Sequence, residues 1–218
     1  MKRQPGLGRA FIFACLALLL GGAPDHPAGA ASRPIRLVAL GDSLMAGYNL
    51  PQSAAFPVVL QKALKAKGHN VEIANAGVSG DTASGGLERL DWSVPDGADG
   101  VIVELGANDM LRGVDPEVTR KALETIVTRL QARGIPVMLA GMYAQRNLGS
   151  AYSDRFDAIY PNLAKKHGLV LYPFFLDGIA GDRVLNLPDG LHPTAKGIER
   201  VVERILPAVE TFLARLKP

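Results

Sequence analysis

The chain contains 218 residues, of which 48% are apolar and 21% are charged. This composition is typical of a folded globular protein and excludes a disordered or fibrous one. The net charge of +3 is small for this length and does not indicate a nucleic-acid-binding surface. Because Cys15 is the only cysteine, the sequence excludes an intramolecular disulfide framework and a cysteine-based metal site.

The first 31 residues have the pattern of an export signal. Lys2, Arg3 and Arg9 flank the start of an apolar run over residues 10–20, and small residues follow it at Ala28-Gly29-Ala30. The apolar run is about half of the roughly 20 residues that a membrane span needs. We therefore expect residues 1–31 to be a cleaved signal, with an uncleaved anchor as the alternative. The mature protein is then periplasmic or secreted, has no stable membrane span and consists of one domain over residues 32–218.

The rest of the chain alternates short apolar runs with amphipathic segments. Runs of this length that end at glycine or polar residues are typical of buried strands. Strands are predicted over residues 35–40, 71–74, 100–105, 135–140 and 169–172. Helices are predicted over residues 55–67, 87–90, 116–133, 152–167 and 194–216, and a loop rich in Gly, Ser and Thr over residues 79–86.

The helix over residues 116–133 has the clearest boundaries. Asp115 is a favourable N-cap, Pro116 occupies the first helical position and Gly134 follows the last turn. The regular alternation of strands and helices predicts an α/β fold with a five-stranded parallel sheet between two helical layers. In such a sheet, ligands bind at the carboxyl ends of the strands.

Four polar loops follow predicted strands and should therefore meet at that edge. They are Gly41-Asp42-Ser43-Leu44, Gly77-Val78-Ser79-Gly80-Asp81, Gly106-Ala107-Asn108-Asp109 and Asp189-Gly190-Leu191-His192-Pro193. Each motif alone is compatible with an ordinary turn or helix cap. Together they bring a serine, a histidine and an aspartate to one edge, which are the parts of an activated nucleophile.

The chemistry assigns a role to each of these residues. Ser43 is the nucleophile, His192 the base that takes its proton, and Asp189 the group that orients the imidazole. The backbone N–H groups of Ser43 and Gly80 and the side-chain amide of Asn108 are candidate donors to the oxyanion. The other three histidines, His26, His69 and His167, lie in the leader or beside helix ends.

The four loops, in this order, resemble those of the SGNH hydrolases, also called GDSL esterases, over essentially the whole mature chain. The similarity is greatest to the bacterial periplasmic thioesterase/lysophospholipase and arylesterase branch. The resemblance implies a flavodoxin-like three-layer fold, an oxyanion hole of Ser43, Gly80 and Asn108, and an Asp189-x-x-His192 pair. Ala107 stands where many relatives have glycine, which adds one methyl group beside Asn108.

Several neighbouring residues allow two interpretations. Asp42, Asp81 and Asp109 adjoin the candidate catalytic positions, and we interpret them as residues that brace turns and loops. A set of apolar loop residues either belongs to the core or lines a pocket for an acyl group. The set comprises Met110, Leu111, Tyr143, Leu148, Phe174 and Phe175.

The sequence thus predicts a serine ester hydrolase that acts on small acyl esters or thioesters through an acyl-enzyme. It requires no metal and no organic cofactor, and we expect no nucleic-acid partner. Three alternatives remain at this point: a carbohydrate O-acetyl esterase on the same scaffold, a non-catalytic binding protein, and a protein with a structural role in the cell envelope. Oligomeric state and acyl-chain length are not predicted.

Overall fold

The structure is a computed structural model that describes residues 1–2 and 33–216. The predicted export signal and its cleavage site therefore lie outside the described residues, apart from the first two, and stay predictions. Ser32–Pro218 forms one compact unit. Its centre is a parallel sheet of five strands in the order β2-β1-β3-β4-β5. The strands are β1 (Ile35–Gly41), β2 (Val71–Gly77), β3 (Gly100–Glu104), β4 (Val137–Ala140) and β5 (Val170–Tyr172).

Helices cover both faces of this sheet, so the predicted three-layer α/β/α fold is confirmed. They are α1 (Ser43–Ala46), α2 (Phe56–Ala66), α3 (Ala83–Glu88), α4 (Leu90–Ser93), α5 (Ala107–Leu111), α6 (Pro116–Ala132), α7 (Ser150–Asp157), α8 (Ile159–His167) and α9 (Ala195–Leu213). α2 packs against α9 in one layer, and α6 packs against α3, α7 and α8 in the other.

The central strands are buried on both faces because both helical layers pack against them. Every residue of β3 is buried, and β1 is buried from Leu37 onwards. The register aligns the ends of three strands, since Gly41 lies opposite Gly77 on one side and opposite Glu104 on the other. The loops that follow β1, β2 and β3 therefore start at the same level, side by side.

The predicted loop over residues 79–86 is wrong in its second half. The side chain of Thr82 accepts a hydrogen bond from the N–H of Gly85 and so caps α3, which begins at Ala83. A Cβ atom on Gly86 would lie 2.4 Å from Leu105 Cδ1. Glycine is present at this position because α3 packs closely against the sheet. The small and polar residues of this segment gave it the composition of a loop. The predicted helix over residues 87–90 is replaced by α3 and α4.

The predicted helix over residues 152–167 is divided into two helices, α7 and α8, at Ala158. Pro161 lies in the first turn of α8, where backbone N–H groups have no acceptor within the helix. A proline is therefore tolerated there, although it cannot continue α7. The predicted N-cap of α6 is confirmed, since the Asp115 side chain accepts a hydrogen bond from Glu117 N.

Candidate active site

Ser43, His192 and Asp189 form a continuous hydrogen-bonded chain at the carboxyl edge of the sheet. Ser43 Oγ lies 2.9 Å from His192 Nε2, and His192 Nδ1 lies 2.7 Å from Asp189 Oδ2. Ser43 follows β1, whereas the other two residues lie in the loop before α9. This is the geometry in which a histidine takes the hydroxyl proton while a carboxylate fixes its tautomer.

The loop before α9 holds Asp189 in place through its own backbone. Asp189 Oδ1 accepts hydrogen bonds from Leu191 N at 2.9 Å and from His192 N at 3.0 Å. Burial opposes ionisation of this carboxyl, but these two N–H groups and the His192 ring outweigh it and lower the pKa of Asp189. The loop therefore supplies an ionised carboxylate, oriented towards the imidazole.

Ser43 occupies the first position of α1, directly after the strand. Asp42 caps this short helix, since its Oδ1 accepts a hydrogen bond from Leu44 N at 3.0 Å. Asp42 is completely buried, and Ser43 is 8% exposed. The cap fixes the turn that points the serine towards the loop of His192.

The second oxygen of Asp42 binds the amide of Asn108. Asn108 Nδ2 donates to Asp42 Oδ2 over 3.0 Å. Behind this pair lies the fully buried Glu104, whose Oε2 is 3.5 Å from Asp42 N. Burial raises the pKa values of both Asp42 and Glu104, and their proximity favours a single negative charge on the pair.

The loop that carries Gly80 runs beside the end of β1. Val78 N donates to the carbonyl of Gly41 at 3.0 Å, and Arg112 Nη2 donates to the carbonyl of Gly80 at 2.7 Å. Arg112 N in turn donates to the carbonyl of Asn108 at 3.1 Å. Arg112 therefore connects the loop of one candidate oxyanion donor with the helix of the other.

A partly enclosed cavity of about 220 Å³ opens beside Ser43 and His192. Four of the predicted pocket residues line it: Met110, Leu111, Tyr143 and Phe174. The other walls are mainly apolar or glycine and were not predicted as pocket residues. They include Leu44, Met142, Leu176, Ala180, Gly181 and Leu191.

Two predicted pocket residues, Leu148 and Phe175, are not part of the cavity wall. Leu148 is 37% exposed, in the short helical turn Arg146–Leu148. Phe175 is fully buried and packs edge-on against Phe56, with ring centroids 4.9 Å apart. The sequence shows that these residues are apolar but does not show which way each loop side chain points. Gly80 does not line the cavity either.

The remaining predictions about neighbouring residues are consistent with bracing roles. Asp109 is buried and accepts hydrogen bonds from Ala83 N and Thr119 Oγ1, while Asp81 pairs with Arg89. His69 and His167 each lie beside a glutamate, Glu210 and Glu124 respectively, away from the serine. His26 lies outside the described residues.

Three residues near the site were not predicted: Tyr48, Arg112 and Glu104. The ring of Tyr48 lies 4.3 Å from that of His192, centroid to centroid. Only Arg112 has a signal in the sequence, because it follows Asn108 by four residues and so lies on the same side of a helix. Within residues 33–216, no group of three His, Cys, Asp or Glu residues is arranged to hold a metal ion.

Comparisons with a family model, with curated proteins and with solved structures all indicate the same family. Residues 39–200 match the model described as the GDSL-like lipase/acylhydrolase family. The chain is 40% identical to an arylesterase of Vibrio mimicus over 72% of this chain and 80% of that protein. It is 38% identical to thioesterase 1/protease 1/lysophospholipase L1 of Escherichia coli K12, over 72% of this chain and 74% of that protein. The crystal structure of AlinE4, described as an SGNH-hydrolase family esterase, superposes with a TM-score of 0.71 at 44% identity, covering 84% of this chain and 99% of that one.

Proposed function

Because the chain belongs to the GDSL-like lipase/acylhydrolase family and is a serine ester hydrolase, we propose that Ser43, His192 and Asp189 perform the reaction. The observation that carries this assignment is the hydrogen-bonded chain from Ser43 Oγ through the His192 ring to Asp189 Oδ2, with distances of 2.9 and 2.7 Å.

In the proposed mechanism, Ser43 Oγ attacks the acyl carbonyl carbon while His192 Nε2 takes the hydroxyl proton. The Ser43 and Gly80 N–H groups and Asn108 Nδ2 stabilise the negative charge that develops on the carbonyl oxygen. The carbon–oxygen or carbon–sulfur bond then breaks, and His192 returns the proton to the leaving alcohol or thiol. Water, deprotonated by His192, releases the acyl group from Ser43 and restores the hydroxyl.

The walls of the cavity support an apolar acyl chain as part of the substrate. They are apolar over most of their area, and the side chains of Met110, Leu111 and Phe174 are among them. An apolar cavity of this kind binds hydrocarbon and leaves a few polar groups to orient the reacting atoms. Relatives named arylesterase and thioesterase/lysophospholipase also support this class. We therefore assign acyl esters and thioesters with an apolar acyl chain as substrates.

The leader supports a place of action outside the cytoplasm. Its basic start, apolar run and small-residue end are those of a signal that is removed on export. None of the helices within the described residues is long and apolar enough to cross a membrane. Expression of the full chain in a bacterial host, followed by cell fractionation and N-terminal sequencing, tests export. A mature N-terminus near residue 31 or 32 is expected, and an intact leader in the cytoplasmic fraction would contradict the proposal.

The test of catalysis uses the purified mature protein and p-nitrophenyl acetate. Ser43→Ala should abolish the burst of p-nitrophenol and lower kcat by about 10³-fold or more. It should also abolish covalent labelling by a fluorophosphonate. Ser150→Ala, which removes the exposed hydroxyl at the start of α7, is the matched control and should retain both. Hydrolysis and labelling that persist in Ser43→Ala would show that a different nucleophile is used.

Substrate class is tested on the same protein. A series of p-nitrophenyl esters and acyl-coenzyme A thioesters of increasing chain length is compared with acetylated glycans. The proposal expects kcat/KM to rise with chain length beyond acetyl until the cavity is filled. A clear preference for acetylated glycans would instead favour a carbohydrate O-acetyl esterase.

A further inference from the structure

The ring of Tyr48 lies over the imidazole of His192. The two ring centroids are 4.3 Å apart and the planes are inclined by 33°. The Tyr48 side chain is 41% exposed, so one part of the ring covers His192 while the rest contacts solvent. His192 is held in its plane by hydrogen bonds at both nitrogens, and Tyr48 is the aromatic group that contacts its face.

The position of Tyr48 is set by the residue that attacks the substrate. The carbonyl of Ser43 accepts hydrogen bonds from Gly47 N at 3.1 Å and from Tyr48 N at 3.2 Å. Gly47 has a φ of 81°, and a Cβ atom there would lie 2.7 Å from that of Ala55. The turn therefore requires glycine and brings the ring of Tyr48 back over the site. Ser43 thus contacts His192 through its hydroxyl and positions Tyr48 through its carbonyl.

We propose that Tyr48 is a positioning residue that holds the His192 ring in plane and favours its charged form during acyl transfer. The face of an aromatic ring carries negative charge density and attracts a cation placed over it. His192 becomes a cation each time it takes the proton of Ser43 or of water. Among the described residues, the charged groups that face His192 are Asp189, in contact with it, and Asp42, which lies behind Ser43. Both remain in every variant below, so a change in behaviour reports on the ring.

The test measures kcat/KM for p-nitrophenyl acetate against pH in Tyr48→Leu and Tyr48→Phe. Loss of the ring in Tyr48→Leu should move the acidic limb by about half a pH unit towards lower pH. It should also lower kcat about three- to tenfold, because the imidazolium and its orientation are less well stabilised. Tyr48→Phe retains the ring face and should match the parent protein in both respects. Tyr48→Met, which also lacks the ring, gives a second measurement if the leucine variant does not fold.

Trp92→Leu is the matched control, since Trp92 is 95% exposed and does not line the cavity. It should leave the limb and kcat unchanged. An acidic limb that does not move in Tyr48→Leu or Tyr48→Met would overturn the proposal, as would an equal shift in Tyr48→Phe. The inference rests on His192 being the base. If the parent protein showed no Ser43-dependent hydrolysis, that premise would fail, whereas an unmoved limb in an active enzyme overturns the role of Tyr48 alone.

Discussion

The side-chain amide of Asn108 donates a hydrogen bond to the buried carboxylate of Asp42, with 3.0 Å between Nδ2 and Oδ2. An amide nitrogen carries two protons, so one binds Asp42 and the other is free to donate to an oxyanion. The same carboxylate caps the helix that begins at Ser43. Asp42 therefore orients a candidate oxyanion donor and the proposed nucleophile together, and its role extends beyond the bracing of a turn.

This relationship predicts a graded loss of activity. Asn108→Ala removes a donor and should lower kcat about a hundredfold or more, with little change in KM. Asp42→Asn should cost less, about tenfold, because Leu44 N and Asn108 Nδ2 bind different oxygens of Asp42, and an asparagine places a nitrogen, which cannot accept, at one of these two positions. Initial rates on p-nitrophenyl acetate measure both effects. A larger loss in Asp42→Asn than in Asn108→Ala would show that Asp42 does more than orient the amide.

The loop before α9 predicts the effect of Asp189→Asn. An asparagine can still accept the N–H bonds of Leu191 and His192, but its amide nitrogen cannot accept from His192 Nδ1, so the ring adopts the wrong tautomer. We expect kcat to fall by about 10²–10⁴. Asp96→Asn, at a side chain that is 99% exposed, should have no effect. Equal activity of Asp189→Asn and the parent protein would remove Asp189 from the mechanism.

The pH dependence of the parent enzyme follows from the same pair. The hydrogen bonds to Asp189 lower its pKa, so this carboxyl stays ionised while an imidazole takes up its proton. The acidic limb of kcat/KM should therefore reflect protonation of the base and not of Asp189. Activity should be present above this limb and lost as the pH falls through it. A profile that stays flat down to pH 4 would exclude His192 as the base.

The contacts of Arg112 predict that this exposed side chain helps to position the proposed oxyanion donors. Its guanidinium holds the carbonyl of Gly80, and its own N–H binds the carbonyl of Asn108. Arg112→Ala should lower kcat about tenfold without a comparable change in the melting temperature. Added guanidinium at millimolar concentration should restore part of the rate. Arg129→Ala, which breaks an exposed ion pair with Asp91, is the control, and an equal loss there would point to a general effect of surface charge.

Much of this site could be predicted from the sequence because the fold is parallel. Loops at the carboxyl ends of parallel strands meet at one edge, so Ser43 and His192 approach each other although 149 positions separate them. The Asp189-x-x-His192 spacing also places both side chains on one turn. These inferences need only strand order and local spacing, which apolar periodicity reveals.

The remaining features depend on side-chain direction, which periodicity does not reveal. Leu148 and Phe175 are both apolar loop residues, yet one is exposed and the other packs against Phe56. The contact of Tyr48 with His192 arises from a tight turn at Gly47 and from a loop distant in the chain. Such contacts follow from three-dimensional packing and have no local pattern in the sequence.

The cavity walls predict how chain-length preference changes. The ring of Phe174 stacks on Tyr143 at 5.0 Å, and both residues line the cavity. Phe174→Ala removes apolar contact with a long acyl chain but does not affect an acetyl group. The ratio of kcat/KM for p-nitrophenyl octanoate to that for the acetate should fall about tenfold or more. Leu148→Ala is the matched control outside the cavity and should keep the parent ratio, and an equal fall there would contradict the pocket assigned to Phe174.

Glu104 predicts an unusual dependence of stability on pH. Its carboxyl is fully buried, and Oε1 has no hydrogen-bond partner among the described residues. Burial raises the pKa of Glu104 well above the usual value, and the negative charge of the nearby Asp42 raises it further. An unfolded chain releases this proton at about pH 4.3, whereas the folded protein retains it. The free energy of unfolding should therefore decrease as the pH rises above the value at which the unfolded chain releases the proton, in contrast to the effect of a paired carboxylate.

Glu104→Gln tests this directly, since glutamine has the same shape, is neutral at every pH and can still accept the hydrogen bond from Asp42 N through its amide oxygen. Its melting temperature should depend less on pH than that of the parent protein between pH 5 and 8. For a protein of this size, each kcal/mol by which the substitution raises the free energy of unfolding corresponds to an increase of about 2–4 °C in the melting temperature. Thermal unfolding of both proteins across this range cancels the contribution of the surface histidines, which they share. Glu88→Gln, at an exposed carboxyl, should behave like the parent. If the melting temperatures of the parent and Glu104→Gln depended on pH in the same way, Glu104 would be ionised in the folded state. Asp42 would then hold the amide of Asn108 beside a second negative charge.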